Sequence, residues 1–245
     1  MPPAPLAYSV RAVSGRPSAD EFGVHRVSLE AATQEAAGVR KAAMADVPAM
    51  AAALARAFHD DPAFTWVLSA DPGRARMLQR GFDLFLRRIW MEHEQTYTTE
   101  RVAGVAVWEP PEQWKLGAGR QARLAPAMIA IFRRRLPRLV RALATLEASH
   151  PTEPHYYLPF IGVEPRWQGR GLGGALLTPM LGHCDAEQLP AFLEASTPRN
   201  RALYERHGFA VTEEFRLGRT APPQWRMWRR PRPRAASPPP PAGTP

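Results

Sequence analysis

The sequence predicts a single α/β domain, and three observations lead to this prediction. Short runs rich in aromatic and β-branched residues, such as HYYLPFIGV at 155–163, have the composition of strands. Longer segments between them carry apolar residues every three or four positions, as amphipathic helices do. The chain has 245 residues, which is enough for one sizeable core and one insertion.

The predicted elements alternate along the middle of the chain. The first are a strand at 39–43 and a helix that Asp46 can cap, with Pro48 in its first turn. A second helix is expected to start near Asp71. The remaining elements, in order, are a hairpin (95–100 and 102–108), arginine-rich helices interrupted by Pro126 and Pro137, a strand (155–163), a helix after a glycine cluster, a strand (190–196), a helix (199–208) and strands at 209–217 and 225–230.

The two ends differ in composition from the middle. Residues 1–38 lack a sustained hydrophobic period, so we expect a disordered or weakly ordered extension there. Residues 231–245 read PRPRAASPPPPAGTP and predict a disordered, proline-rich tail. The folded domain is therefore expected to span 39–230, with a helical insertion at about 109–154.

The composition argues against several classes of protein. The single cysteine, Cys184, excludes an internal disulfide framework and fits a cytoplasmic location. No apolar run approaches the about 20 residues needed to span a bilayer. The N-terminus lacks the apolar stretch of a secretory signal, so we expect neither export nor a membrane partner.

The positive charge of the chain is unevenly distributed. The formal net charge is +9, and residues 115–146 carry eight basic side chains and no acidic one. We interpret this segment as a solvated helix face, and the alternative is a surface for an anionic partner. No basic ribbon with interleaved aromatic residues and no known reader motif is present, which argues against nucleic acid as the partner.

Four glycines at 169–174 follow the predicted strand and open a helical segment, an arrangement that brings backbone close to a phosphate. The phosphate loop of nucleotide hydrolases requires a lysine, and none lies nearby. The dinucleotide pattern GxGxxG is present, and Glu194 lies about 20 residues beyond it, as that pattern expects. However, EPRWQ separates the strand from the glycines, whereas the dinucleotide pattern begins directly after its strand.

A third chemistry accounts for more of the sequence. Gln168-x-x-Gly171-x-Gly173 follows a strand, and Asn200, Tyr204 and Gly208-Phe209 come later in an N-x-x-x-Y-x-x-x-G-F arrangement. This ordered combination resembles the Gcn5-related N-acetyltransferases (GNAT), over about 39–230 and most strongly over 155–230. The resemblance implies the GNAT fold, a mixed central sheet with flanking helices and a splayed pair of strands at the acetyl-CoA site.

One segment is similar to a narrower group within that family. PAFLEASTPRNRALYERHGFAVT looks most like puromycin N-acetyltransferase and its relatives, which also carry a proline in the helix after the loop, as Pro179 does here. This likeness implies a small-molecule acceptor, including one that resembles an antibiotic. It also implies that the helical insertion at about 109–154 lies on the acceptor side of the site.

The resemblance also implies which residues bind acetyl-CoA. The amides of 169–174 and the N-terminal end of the following helix suit a pyrophosphate, and Arg170 or Gln168 can reach a phosphate. The strand before the loop would pair with the extended pantetheine arm through its backbone. The implied binding residues are Ile161, Gly162, Val163, Gln168, Gly169, Arg170, Gly171, Leu172, Gly173, Gly174 and Asn200.

Catalysis by the family requires a proton donor and a base. The resemblance implies that Tyr204 protonates the departing thiolate, and the alternative is a tyrosine that bridges its helix to the core. Glu194, Glu109 and His155 are candidate bases, and Glu194 ranks first because it lies beside the strands expected to separate. Asn200 either binds the pantetheine arm or caps its helix. No cluster has metal-ligand spacing, so we expect no metal.

These residues together predict an N-acetyltransferase that moves an acetyl group from acetyl-CoA to a primary amine of a small molecule. A protein lysine or N-terminal acetyltransferase is the alternative within the same chemistry. A basic nucleic-acid-binding protein is the alternative from another class. The expected assembly is a monomer or a homodimer.

Overall fold

A seven-stranded mixed sheet organises the fold. The computed structural model describes residues 28–69 and 71–233. The strands are β1 (Val39–Lys41), β2 (Thr96–Thr99), β3 (Gly104–Glu109), β4 (Tyr156–Val163), β5 (Ala191–Ala195), β6 (Ala210–Arg216) and β7 (Pro223–Arg229). The helices are α1 (Leu29–Ala37), α2 (Val47–Ala57), α3 (Pro62–Leu68), α4 (Arg74–Arg88), α5 (Ala118–Phe132), α6 (Leu136–Ala148), α7 (Leu172–Glu187) and α8 (Pro198–Arg206). These elements confirm the predicted α/β class.

The strands are ordered β1-β2-β3-β4-β5-β7-β6, and only β4 and β5 pair in parallel. The parallel pairing consists of three residue pairs, from Tyr156 with Ala191 to Leu158 with Leu193. Beyond those pairs, β4 runs on to Val163 without pairing to β5. We call the space between the two unpaired strand ends the gap, and it is the splay that the sequence resemblance implied.

A β-bulge lies where the two strands separate. Val107 pairs with Phe160, but Glu109 pairs with Tyr157. Between these two pairs β4 contains one residue more than β3. Pro159 lies in the longer segment, and it has no amide hydrogen to donate to a ladder. A bulge bends the strand that contains it, which explains why β4 leaves β5 at this proline.

Two buried clusters cover the two faces of the sheet. Val105 and Val107 of β3 face the cluster built with α2 to α6, whereas Ala106 and Trp108 face the cluster built with α7 and α8. Alternate residues of a strand point to opposite faces, so β3 contributes to both. Within residues 28–69 and 71–233, no helix is long and apolar enough to cross a bilayer.

The segment that the sequence leaves without structure contains α1. Ser28 caps this helix by accepting a hydrogen bond from Ala31 N, and Glu35 accepts one from the amide of Arg101. Ala32 is fully buried in a small cluster with Ala103, Trp167 and Leu172. The helix was missed because its buried face consists of small alanines and one glutamate. Residues 1–27 and 234–245, which hold the rest of both expected tails, lie outside the described residues.

Several predicted helix boundaries are also corrected. Asp46 does not cap α2 with its side chain, because its carboxylate accepts from Ala43 N and pairs with Arg40. Helix α3 was not predicted, although Asp61 caps it by accepting from two amides of its first turn. Pro126 lies inside α5, and the break before α6 falls at Arg133–Arg135.

The basic segment at 115–146 is tied to the rest of the fold more than a solvated face would be. Arg138 donates to Trp66 O at 2.8 Å, and its guanidinium carbon lies 4.9 Å from the centre of the indole ring. Arg134 and Arg135 both pair with Asp71. These contacts hold α5 and α6 against α3 and α4.

We expect the substitution Ala32→Gln to lower the free energy of unfolding by about 1–3 kcal/mol, because a larger polar side chain would have to enter a filled cluster. Ala37→Gln, on the exposed side of the same helix, is the matched control and should change stability by less than about 0.5 kcal/mol. Urea unfolding measures both values. Equal stabilities would show that α1 does not belong to the folded domain.

Candidate active site

The gap between β4 and β5 is bordered by unpaired backbone of β4. Glu164 N donates to Ala103 O at 2.9 Å. This bond shows which residues of β4 direct their backbone groups toward β3. The alternation of an antiparallel ladder then turns the backbone groups of Gly162 toward β3 and those of Ile161 and Val163 into the gap. An extended chain entering the gap would find donors and acceptors in this β4 edge.

The glycine loop, residues 168–174, joins the end of β4 to the start of α7. Gly169 and Gly171 have φ angles of 77° and 88°, which lie in the left-handed region that glycine adopts without strain. The first hydrogen bond of α7 runs from Ala175 N to Gly171 O at 3.0 Å. The amides of Leu172, Gly173 and Gly174 therefore lie in the first turn, where a helix has no internal acceptor for them. Such a turn suits an anion.

The glycines of the loop differ in what surrounds them. A β-carbon on Gly171 would meet nothing within 4 Å, so the space above the helix end is open. A β-carbon on Gly173 would lie 3.1 Å from Leu203 Cδ2, and one on Gly174 would lie 3.0 Å from His207 Nε2. Gly173 and Gly174 thus allow α8 to pack closely against α7, and only their amides face a ligand.

Other predicted binding residues of the loop take different positions. The side chain of Leu172 is buried with Trp167, so only its amide is available. Gln168 donates from Nε2 to Val163 O at 2.9 Å, which ties the loop to the end of β4. Arg170 is half-buried and makes no hydrogen bond or ion pair with the described residues. Its guanidinium is therefore free to reach an anion bound at the helix end.

Asn200 is not the cap of α8. Thr197 caps that helix, because its Oγ1 accepts a hydrogen bond from Asn200 N at 3.1 Å. The side chain of Asn200 points from the first turn toward Ser196, with Nδ2 3.5 Å from Ser196 Oγ. Ser196 in turn donates to the buried carboxylate of Asp61. Asp61 was missed by sequence reasoning, although the pair Asp61-Pro62 is a recognisable helix start.

Tyr204 lies one turn after Asn200 and is buried against α7 and the sheet. Its ring centre is 6.0 Å from that of Phe209, and only 5% of the residue is exposed. Burial, and secondarily the nearby carboxylate of Asp61, raise the pKa of Tyr204 above its usual value. The hydroxyl makes no hydrogen bond to the described residues and keeps its proton at neutral pH. These are properties of a proton donor.

Two carboxyl groups lie on the other face of the sheet. Glu194 accepts a hydrogen bond from the hydroxyl of Tyr157 at 2.9 Å through Oε2, whereas its Oε1 is buried without a partner among the described residues. Burial raises the pKa of Glu194 to about 7. Glu109 accepts from Trp90 Nε1 at 3.0 Å, and burial, with the charge of Glu194, raises its pKa to about 8. We call Glu109 and Glu194 the carboxylate pair.

His155, the third candidate base, lies apart from the carboxylate pair. Its Nε2 is 3.0 Å from His150 Nε2, and its Nδ1 is 2.6 Å from Glu153 O. Burial lowers the pKa of His155 below its usual value. Both ring nitrogens are therefore engaged with neighbours in an aromatic cluster, which favours a structural role for this histidine.

The candidate acid and the candidate base lie on opposite faces of the sheet. Leu193 and Ala195 belong to the cluster that contains Tyr204, so Glu194 between them points to the other face. The gap opens after Leu193 and connects the two faces at this point. A reacting group held in the gap could be approached by Glu194 from one side and by Tyr204 from the other.

Residues 89–209 match the model of the Acetyltransferase (GNAT) family. The fold, the gap and the glycine loop agree with this match, which places residues 89–209 in that family. The predicted GNAT fold is thereby confirmed.

Similar proteins extend this result to the fold. An uncharacterized N-acetyltransferase of Schizosaccharomyces pombe is 39% identical over 64 residues, and the matched region is 26% of this chain and 26% of that relative. A solved structure of histone acetyltransferase HPA2 and related acetyltransferase from Corynebacterium glutamicum has a TM-score of 0.61 at 23% identity, covering 79% of this chain and 96% of that one. Arylalkylamine N-acetyltransferase 2 from Aedes aegypti has a TM-score of 0.54 at 10% identity, covering 78% and 97%. At these identities the structural likeness establishes the fold alone.

We expect Gly171→Asn to weaken acetyl-CoA binding by at least about tenfold, because its side chain would occupy the open space above the first turn of α7. Asparagine tolerates the left-handed backbone that position 171 requires, so the protein should remain folded. Gly182→Asn, at an exposed and open position of the same helix, is the control. Calorimetric titration measures the affinities, and thermal melting checks the fold. Wild-type affinity in a folded Gly171→Asn variant would contradict the assignment of the loop.

Proposed function

We propose that this protein transfers the acetyl group of acetyl-CoA to a primary amine of a small molecule. The observation that carries the proposal is the gap, which begins at Leu158 of β4 and ends at the glycine loop. Along this path lie, in order, a carboxylate base, an unpaired strand edge and a helix N-terminus. No other part of the described chain combines these groups.

Acetyl-CoA is the donor that membership of the family implies. We assign the backbone groups of Ile161 and Val163 that face the gap to the pantetheine arm, because an extended amide-bearing chain can pair with a strand edge. Gly162, which the sequence reasoning also placed in this set, turns its backbone toward β3 and is paired there with Val105. Asn200 supplies a side-chain amide beside the same gap. The amides of the glycine loop and the guanidinium of Arg170 bind the pyrophosphate. The side chain of Gln168 supports this arrangement by tying the loop to Val163.

The chemical step requires a neutral amine and a protonated leaving group. Glu194 accepts a proton from the amine, and the amine nitrogen then forms a bond to the thioester carbon. An amide of the β4 edge donates to the carbonyl oxygen as charge develops on it. The carbon–sulfur bond breaks, and Tyr204 gives its proton to the departing thiolate. The nitrogen releases its second proton to water, from which Tyr204 is protonated again. The products are an N-acetylated amine and free coenzyme A.

A screen of amine acceptors that follows release of free thiol tests the proposal. The finer resemblance to puromycin N-acetyltransferase rests on the segment around α8 and on Pro179, and the comparisons give it no specific support. An aminonucleoside antibiotic is therefore one arm of the screen, and a lysine-bearing peptide is another. Binding of acetyl-CoA without transfer to any amine would reject the proposal. A steep loss of DNA binding with salt, without acetyl-CoA binding, would favour the nucleic-acid alternative.

We expect Tyr204→Phe to lower kcat by about 100- to 10,000-fold, which is the usual contribution of general acid catalysis. The substitution keeps the buried ring and removes only the hydroxyl, so stability should change little. The KM for acetyl-CoA should also change little, because the lost interaction belongs mainly to the transition state. Steady-state kinetics at the pH optimum measure both constants. A fall of less than about threefold, with chemistry shown to be rate-limiting, would make Tyr204 a packing residue.

We expect kcat/KM to rise with pH through a value near 7, because Glu194 can accept a proton only in its ionised form. Glu109 and Glu194 influence each other's ionisation, so the rising limb of the pH profile reflects the titration of the carboxylate pair as a whole. Glu194→Gln should abolish this limb and lower the rate across the range. Glu187→Gln is the control, because Glu187 also accepts from a tyrosine hydroxyl, that of Tyr156, but lies on α7. An unchanged limb in Glu194→Gln would assign the base elsewhere.

A further inference from the structure

We infer that the acceptor is a monoamine with an apolar, ring-sized body, whose ammonium group binds at Glu109 and Glu194 and whose body lies against aromatic residues around Phe160. This inference rests on the proposed function and specifies the class of acceptor. It is based on one structural observation: the carboxylate pair lies next to an uncharged aromatic surface at the start of the gap.

The carboxylate pair is built across three neighbouring strands. Glu109 of β3 pairs with Tyr157 of β4, and Tyr157 pairs with Phe192 of β5, two residues before Glu194. All of these residues point to one face, and the Tyr157 hydroxyl connects to Glu194. Glu109 is 5% exposed and has Trp90 as its hydrogen-bond donor. The pair is thus held in place before any acceptor arrives.

One oxygen of the pair lacks a donor. Glu194 Oε1 is buried and has no hydrogen-bond partner among the described residues. Leaving a buried acceptor unsatisfied is unfavourable, and the penalty is larger for a charged group. An ammonium group has three donors and would satisfy this oxygen while also reaching the carboxylate of Glu109.

The charges that face the pair favour a single positive charge on the acceptor. Arg226 of β7 lies opposite Glu194 in the register, and its guanidinium also pairs with Glu213 at the exposed edge. Burial lowers the pKa of His150 to about 3, and it lowers that of His155 as well, so neither histidine adds charge at neutral pH. Arg120 also acts on Glu109, but it is paired with Glu92. Once both carboxyl groups are ionised, the pair exceeds the charge of the one arginine opposite it by one negative charge, which one ammonium group balances.

An aromatic surface adjoins the pair through Trp90. The Trp90 indole donates to Glu109, and its ring centre lies 5.1 Å from that of Phe160. The ring of Phe160 also contacts Phe58, Phe64 and Phe82, with centres 5.3–6.0 Å away. We call Phe58, Phe64 and Phe160 the aromatic wall, because all three are only half-buried.

The aromatic wall determines what the rest of the acceptor can be. Phe160 directly follows Pro159, where β4 separates from β5, so the wall begins at the mouth of the gap. Its three phenylalanine rings offer no partner to a second ammonium group. Asp61, the carboxylate on the segment between Phe58 and Phe64, is already engaged by Ser196 and by two amides of α3. A second cation placed there would lose its hydration without gaining a partner, which is strongly unfavourable. An apolar ring would instead exclude water from the phenylalanine faces.

The test compares acceptors that differ in the group that would meet the wall. We expect kcat/KM for 2-phenylethylamine to exceed that for 1,4-diaminobutane and for a lysine-bearing peptide by at least about tenfold. Phe160→Leu should reduce this preference. Glu109→Gln should raise the KM for 2-phenylethylamine by about 10- to 100-fold, the range for a hydrogen bond to a charged group. The KM for acetyl-CoA should not change in either variant.

Glu92→Gln is the matched control for Glu109→Gln. Glu92 lies on the same connection as Trp90 but is half-exposed and pairs with Arg120. It should leave the preference among amines unchanged. A second measurement is the number of protons released when 2-phenylethylamine binds. Calorimetric titration in buffers of different ionisation enthalpy gives this number. Binding at pH 7 should release protons from the wild-type pair and fewer from Glu109→Gln, whereas a purely structural Glu109 would not alter proton release.

Failure of the inference differs from failure of the proposed function. Transfer to diamine or peptide as efficient as transfer to 2-phenylethylamine would overturn the inference and leave the acetyltransferase activity intact. An unchanged preference in folded Phe160→Leu and an unchanged KM in folded Glu109→Gln would do the same. Binding of acetyl-CoA with no thiol release for any amine would overturn the proposed function itself.

Discussion

The site depends on the separation of β4 from β5 at Pro159. Tyr156 N donates to Pro190 O, toward β5, so the missing amide hydrogen of Pro159 faces β3 in the regular alternation of the strand. The ladder to β3 accommodates this loss with a bulge, and the ladder to β5 ends at Leu158. Without the bulge, the same alternation would turn the backbone groups of Ile161 and Val163 toward β3, and they would not be free to face the gap. The two sides of the sheet would also have no connection at the end of β5.

The opposite faces of the sheet impose opposite protonation states on the candidate catalytic groups. Tyr204 is buried beside a carboxylate, and both influences favour its neutral form, as a proton donor requires. Glu194 is buried on the other face, where a tyrosine hydroxyl and Arg226 partly offset the cost of its charge. Its pKa therefore lies near neutrality, where a base can both accept and release a proton. The separation by the sheet prevents the two groups from exchanging protons directly.

Local sequence patterns could predict most of the elements but not the contacts between distant ones. The order of strand, glycine loop and helix was readable because glycine spacing and hydrophobic period are local signals. The link between Asp61 and Ser196 joins positions far apart in the sequence, and no periodicity indicates it. The bulge at Pro159 depends on the register with β3, which a single strand does not encode. Helix α1 escaped prediction because alanine carries little hydrophobic signal even where it is fully buried.

The glycine loop couples the proposed binding of acetyl-CoA to the position of Tyr204. The loop is anchored on one side, because Leu172 and the preceding Trp167 are buried against Ala32 of α1. Its third and fourth glycines approach α8 so closely that a β-carbon would displace Leu203 or His207, the neighbours of Tyr204 on that helix. The close approach of Gly173 and Gly174 to these side chains limits how far the loop backbone can move toward α8. A side chain added in the first turn of α7 would alter the position of Tyr204 as well as the anion site, so binding and protonation share one structural support.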